Sequence, residues 1–155
     1  MPLNPQDLLP LGIAAIVNIV ITILFCRSLI KTLSFIRSEN KAIQSAMIWL
    51  LIVPVVNYIV NFIVVFGMSK SIAEELKSRD FEEEERPAFS SGLAFAILSL
   101  ASLAVVLFPI PSSLTVLVAV IGFSQIFFFV QYWMKIIWYK NILEKDETGN
   151  LEEKE

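Results

Sequence analysis

Histidine is absent from this chain of 155 residues, and cysteine occurs once, at Cys26. Without histidine there is no Ser-His-Asp or Cys-His site and no imidazole ligand for a metal. A single thiol forms no intramolecular disulfide, so cysteine usage says nothing of the redox compartment. Charge is scarce as well. Asp, Glu, Lys and Arg make up 17% of the residues, against about 25% in soluble domains. No basic stripe of the kind that tracks a nucleic-acid backbone occurs, so no nucleic acid is expected as a partner. The opening "MPLNPQDLLPLG" lacks a basic segment, and no small-residue cleavage site follows the first apolar run. That run is expected to stay in the membrane as an anchor. Phe25 is too large for the position before a lipoprotein-type cysteine, so Cys26 reads as an inert buried thiol.

Apolar residues fill the space that charge leaves. They make up 56% of the chain, and the mean hydropathy is +0.71. The class is an integral membrane protein with one domain over residues 1–145. About 20 mostly apolar residues are needed to cross a bilayer core. Four stretches meet or approach that length: 8–26, 47–68, 88–108 and 111–131. The Pro109–Pro111 pair divides the last two, because proline removes a backbone donor and disfavours helix before it. The expected fold is all-α, with four transmembrane helices in an antiparallel bundle.

The helices are expected to run on past the membrane. Leu29, Leu33 and Ile36 keep helical spacing after Arg27. Ile72 and Leu76 do so after Met68, with Glu75 and Arg79 as an i,i+4 pair. Tyr132, Ile136, Tyr139 and Leu143 form a stripe along the last helix. "DFEEEERP" reads as a charged linker, and residues 146–155 as an acidic disordered tail. Trp49, Tyr132, Trp133, Trp138 and Tyr139 suit anchoring at the membrane boundary.

With four antiparallel spans, Lys70, Lys77, Arg79, Arg86, Lys135, Lys140 and Lys145 fall on the side of the termini. Arg27, Lys31, Arg37 and Lys41 fall on the other. Basic residues favour the cytoplasm, so both termini are expected there, at the inner membrane of the cell.

Each span carries a polar group near its middle: Asn18, Asn57 with Asn61, Ser99 and Gln125. Small or polar residues line one face of each, as in Ala15, Asn18, Thr22 and Cys26, or Ala88, Gly92, Ala96 and Ser99. Close packing in lipid favours small residues, with polar side chains bonding across helices. These groups therefore form a candidate midplane layer, serving as packing or as a site. Pro54 leaves the Leu50 carbonyl without its usual amide, which predicts a bend at residues 50–54. No Asp or Glu lies inside a span, which argues against proton coupling.

The stretch Trp49-x4-Pro54-x2-Asn57 resembles the second span of small four-span bacterial membrane proteins grouped as a family of unknown function. "FIVVFGMSKSIAEEL" at 62–76 and "QYWMKIIWYKNIL" at 131–143 resemble its continuation and its final helix. The resemblance implies architecture and a bacterial inner membrane, and no activity. The expected function is a non-catalytic accessory or interaction subunit, without catalytic residues, metal or cofactor. Its partners are the lipid bilayer and another protein or a second copy. The alternative is a small oligomeric transporter or channel using the midplane layer.

Overall fold

The computed structural model describes residues 5–81, 86–108 and 111–152. They form five α-helices joined by loops and short 3-10 turns, with no strand among the described residues. The helices are α1 (Pro5–Ser34), α2 (Ser45–Ile48), α3 (Val56–Ser78), α4 (Phe89–Leu107) and α5 (Thr115–Glu152). Three stretches are long and apolar enough to cross a membrane: Gly12–Ser34, Val56–Ser78 and Thr115–Thr148. The apolar part of α4, Phe89–Val105, is shorter.

The segment expected as a second span, 47–68, is not one helix. A 3-10 turn over Trp49–Ile52 follows α2. Val53 is then extended, with φ −77° and ψ 116°. That is the geometry the Pro54 ring imposes on its predecessor. The Leu50 carbonyl, left without a partner by Pro54, accepts the Val53 N–H at 3.1 Å. Val55 has φ 70° and ψ −51°, and the Val56 N–H bonds the Pro54 carbonyl at 2.8 Å. This is a γ-turn of the strained kind. Proline here ends one helical piece and starts another, where a bend within a continuous helix was expected.

The contacts set the direction of each element. Phe25 of α1 packs edge-on against Phe129 and Trp133 of α5, with ring centroids 5.1 and 5.8 Å apart. Trp133 Nε1 donates to Ser28 Oγ at 3.0 Å. Further along, Arg79 at the end of α3 reaches the carbonyls of Phe35 and Leu143. The C-terminal ends of α1 and α3 therefore meet α5 near Leu143, and these three helices run parallel. Residues 35–55 return along α3 in the opposite direction. The Arg37 N–H meets Glu75, the Ala42 N–H meets Ser71, and Ile43 packs on Gly67. The second return is α4, antiparallel to α5: Phe95 stacks near Phe129 and Ser99 bonds Gln125.

This arrangement differs from the expected antiparallel four-span bundle. The reason lies in residues 35–55. The chain spends much of the expected second span on an irregular returning limb, so α3 sets out in the same direction as α1. The start of α1 and the end of α5 lie at opposite ends of the body. The lysines and arginines from Arg27 to Lys145 gather toward the end where α5 finishes.

The core lies in that half of the molecule. The stripes of Leu29, Leu33 and Ile36, of Ile72 and Leu76, and of Tyr132, Ile136, Tyr139 and Leu143 are all buried. Ile43, Ile48 and Leu51 of the returning limb join them. Gly92 permits a close crossing of α3, α4 and α5. A Cβ there would come 2.8 Å from Tyr132 and 2.9 Å from Val65. The expected disordered tail is helical through Glu152, and 153–155 lie outside the described residues. The tail is held where Asp146 pairs with Arg79. Residues 82–85 of the charged linker also lie outside the described residues.

Candidate functional site

Of the polar residues expected at the midplane, the structure joins two. Gln125 Nε2 donates to Ser99 Oγ at 3.2 Å, and its Oε1 accepts from Ser102. This ties α4 to α5 across a face of small side chains, with Ala96 and Ser99 buried. The others stand apart. Asn61 is buried on α3, 8% exposed. Asn57 is half-buried, and its Oδ1 is buried without a hydrogen-bond partner among the described protein groups. Asn18 lies exposed on α1, where its carbonyl accepts from Thr22 Oγ1. Pro54 is exposed at the break before α3. Cys26 is fully buried, and its thiol donates to the Ile48 carbonyl at 3.4 Å, pinning the returning limb to α1.

The densest polar cluster is elsewhere, where the C-terminal ends of α1 and α3 meet α5 at Leu143 and Asp146. Glu75 projects from α3 and has no exposed side-chain surface. Its Oε2 accepts from the Arg37 N–H at 3.0 Å and Asn40 Nδ2 at 2.8 Å. Its Oε1 accepts from Arg79 Nε at 2.9 Å. Arg79 also donates to the Phe35 carbonyl at 2.9 Å, the Leu143 carbonyl at 3.2 Å and Asp146 at 2.7 Å. Burial disfavours the Arg79 charge. Its bonds to Glu75 and Asp146 outweigh that and hold its pKa above the ordinary guanidinium value.

Both Glu75 oxygens and all three Arg79 nitrogens have partners. A guanidinium has five donors in a fixed plane, and here they spread over the ends of α1 and α3 and over α5. An ion pair held so firmly is suited to fixing helix ends. The sequence signal for it was the i,i+4 spacing of Glu75 and Arg79. That signal predicts a surface pair. The roles of Asn40, Asp146 and two backbone carbonyls have no sequence signature, because they come from distant parts of the chain.

An open groove of about 820 Å³ lies beside α3. Phe62, Ile63, Phe66 and Phe89 line one part, and Lys70, Glu74 and Arg86 another. Among the described residues no cluster of three or more Asp, Glu or Cys side chains is arranged to hold a metal ion. No family model, no curated relative and no solved structure matches this chain.

Proposed function

We propose that this protein is a non-catalytic membrane subunit that displays a rigid helical cap on the cytoplasmic side for a partner protein. The observation that carries the reading is the Glu75–Arg79 node. It holds the ends of α1 and α3 against α5 in one geometry, and α5 continues beyond it to Glu152. A fixed surface of this kind lowers the ordering cost of an interaction.

The seating follows from charge. Leu9 to Cys26 of α1 and Thr115 to Met134 of α5 carry no charged residue, lengths of about 27 and 30 Å. Those lengths match a hydrocarbon core of about 30 Å. The basic residues from Arg27 to Lys145 then lie at one face, which faces the cytoplasm. On this reading α1 begins on the opposite side and α5 ends in the cytoplasm. It replaces the expectation of two cytoplasmic termini, which depended on antiparallel spans. Val65 and Tyr132 flank the same glycine, so Val56 is about level with Phe123. The 35–55 limb and α3 together form a hairpin that enters from the cytoplasm and turns inside the membrane. Irregular backbone at such depth is tolerated where it is buried in protein. Ile48 and Leu51 are buried and tie the break to the core, while Trp49, Leu50 and Val53 to Val56 are exposed.

Two experiments test the reading. Reporter fusions that are active on one side only should place Glu152 in the cytoplasm and Pro5 outside. A stoichiometric partner should copurify from native membranes with the intact chain, and be lost when α5 is truncated after Leu143. Copurification of no protein would count against the subunit reading.

A transport role has one observation in its favour. The Asn57 Oδ1 is buried without a partner among the described residues, beside the helix break at Val53–Val55. Broken helices near the midplane are where many transporters bind. Flux in proteoliposomes that disappears in Asn57→Leu would establish it.

A further inference from the structure

We infer that the groove between α3 and the start of α4 is a binding site for one phospholipid of the cytoplasmic leaflet, of the class whose headgroup carries a phosphate and a primary amine. This rests on the proposed seating in the membrane. The groove has a chemical gradient along α3. Phe62, Ile63 and Phe66 come first, then Gly67, then Lys70 and Glu74. Phe66 is 52% exposed and Ile63 40% exposed. Across the groove, Phe89 meets Phe66 edge-on at 5.0 Å, and Arg86 stands over the Phe89 ring at 5.3 Å.

With Val65 level with Tyr132, Lys70 lies just past Lys135, where charge first appears on α5, and Arg86 lines the same part of the groove. The aromatic part of the groove therefore lies within the hydrocarbon belt, and the charged part at the headgroups. A soluble peptide does not reach the first, and a bare hydrocarbon chain leaves the second unused. A phospholipid uses both.

The charges select the headgroup. Lys70 and Arg86 offer two cationic donors to a phosphate. Glu74 offers a carboxylate to an ammonium. It now pairs with Lys70 at 3.7 Å, with both side chains substantially exposed. Exposed i,i+4 pairs of this kind contribute little, so exchange for a headgroup is cheap. A quaternary amine has no N–H to give Glu74, and a headgroup without an amine gives that carboxylate only neutral hydroxyl donors, without the opposite charge of an ammonium.

Native mass spectrometry of the full chain, delipidated in detergent, tests the site. Phosphatidylethanolamine, phosphatidylglycerol and phosphatidylcholine are added singly. One phosphatidylethanolamine should be retained more strongly than either of the others. Lys70→Ala with Arg86→Ala should weaken its retention about tenfold or more, the scale of losing a hydrogen bond to a charged group. Glu74→Gln should keep phosphate binding and remove the preference among the three lipids. These side chains lie outside the core, so the variants should keep the wild-type melting profile. Equal retention of the three lipids would overturn the inference, as would stronger phosphatidylglycerol binding or a double variant that binds normally. The reporter fusions are scored separately. A wrong orientation with selective binding intact faults the seating alone, and correct orientation without selectivity faults the site alone.

Discussion

Arg79 Nε lies 2.9 Å from Glu75 Oε1, one helical turn away, and neither side chain meets much solvent. The pair looks local, but the remaining bonds of each residue go to the returning limb, from Phe35 just past α1 to Asn40, and to α5. It therefore locks tertiary structure where an exposed pair at this spacing would only support its own helix.

Removing one member of this pair leaves the other buried and uncompensated. Glu75→Ala and Arg79→Ala should each destabilise the fold by about 3–5 kcal/mol. The double variant should lose far less than the sum, because the two share one interaction. Reversible unfolding in mixed micelles measures all three. A loss below about 1 kcal/mol in both single variants would mean that the node does not hold the cap. Arg79→Lys should fail to restore stability, since an ammonium cannot span Phe35, Leu143 and Asp146 together.

Two glycines should respond in opposite ways. A methyl group at Gly92 would meet Tyr132 and Val65 closer than 3.0 Å. Gly92→Ala should cost about 1–3 kcal/mol by overpacking. A methyl group at Gly122 would have no neighbour within 4 Å. Gly122→Ala should be neutral, or stabilising by up to about 1 kcal/mol through helix propensity. Thermal melts of the two variants side by side check this.

Val55 sits at φ 70°, where a β-branched side chain is strained. Val55→Gly should raise stability by about 1 kcal/mol, the scale of left-handed strain in a residue with a Cβ. Pro54 is exposed, and Pro54→Ala should leave the protein folded. Loss of folding in Val55→Gly would show that the valine side chain, and not its backbone, matters there.

The Ser99–Gln125 bond joins α4 to α5. Gln125 also accepts from Ser102, so Gln125→Leu removes two interhelical bonds and should cost roughly 1 kcal/mol, at about 0.6 kcal/mol for each in a membrane. A chemical-denaturation midpoint displaced by much more would point to a role beyond packing.

The sequence by itself determined the material of this protein. A chain with so little charge and long apolar runs buries its surface in lipid, and helices are how such runs satisfy their backbones. The stripes after Arg27, Met68 and Gln131 were legible too, because helical periodicity is local. Pro54 was legible as an interruption, since its lack of an N–H is intrinsic to the residue.

Tertiary structure decided direction and partnership. Whether Pro54 bends a helix or ends it depends on what the flanking residues pack against, and here Ile43 on Gly67 and Cys26 on Ile48 hold the limb in retreat along α3. That one turn made α1, α3 and α5 parallel and gathered the basic residues toward one end. It also brought Glu75 to Arg37 and Asn40, and Arg79 to Asp146, pairs separated by as many as 67 positions. Composition and periodicity are sums over neighbours in the chain. Contacts between distant segments depend on the path between them, and that path was set by the packing of residues 35–55.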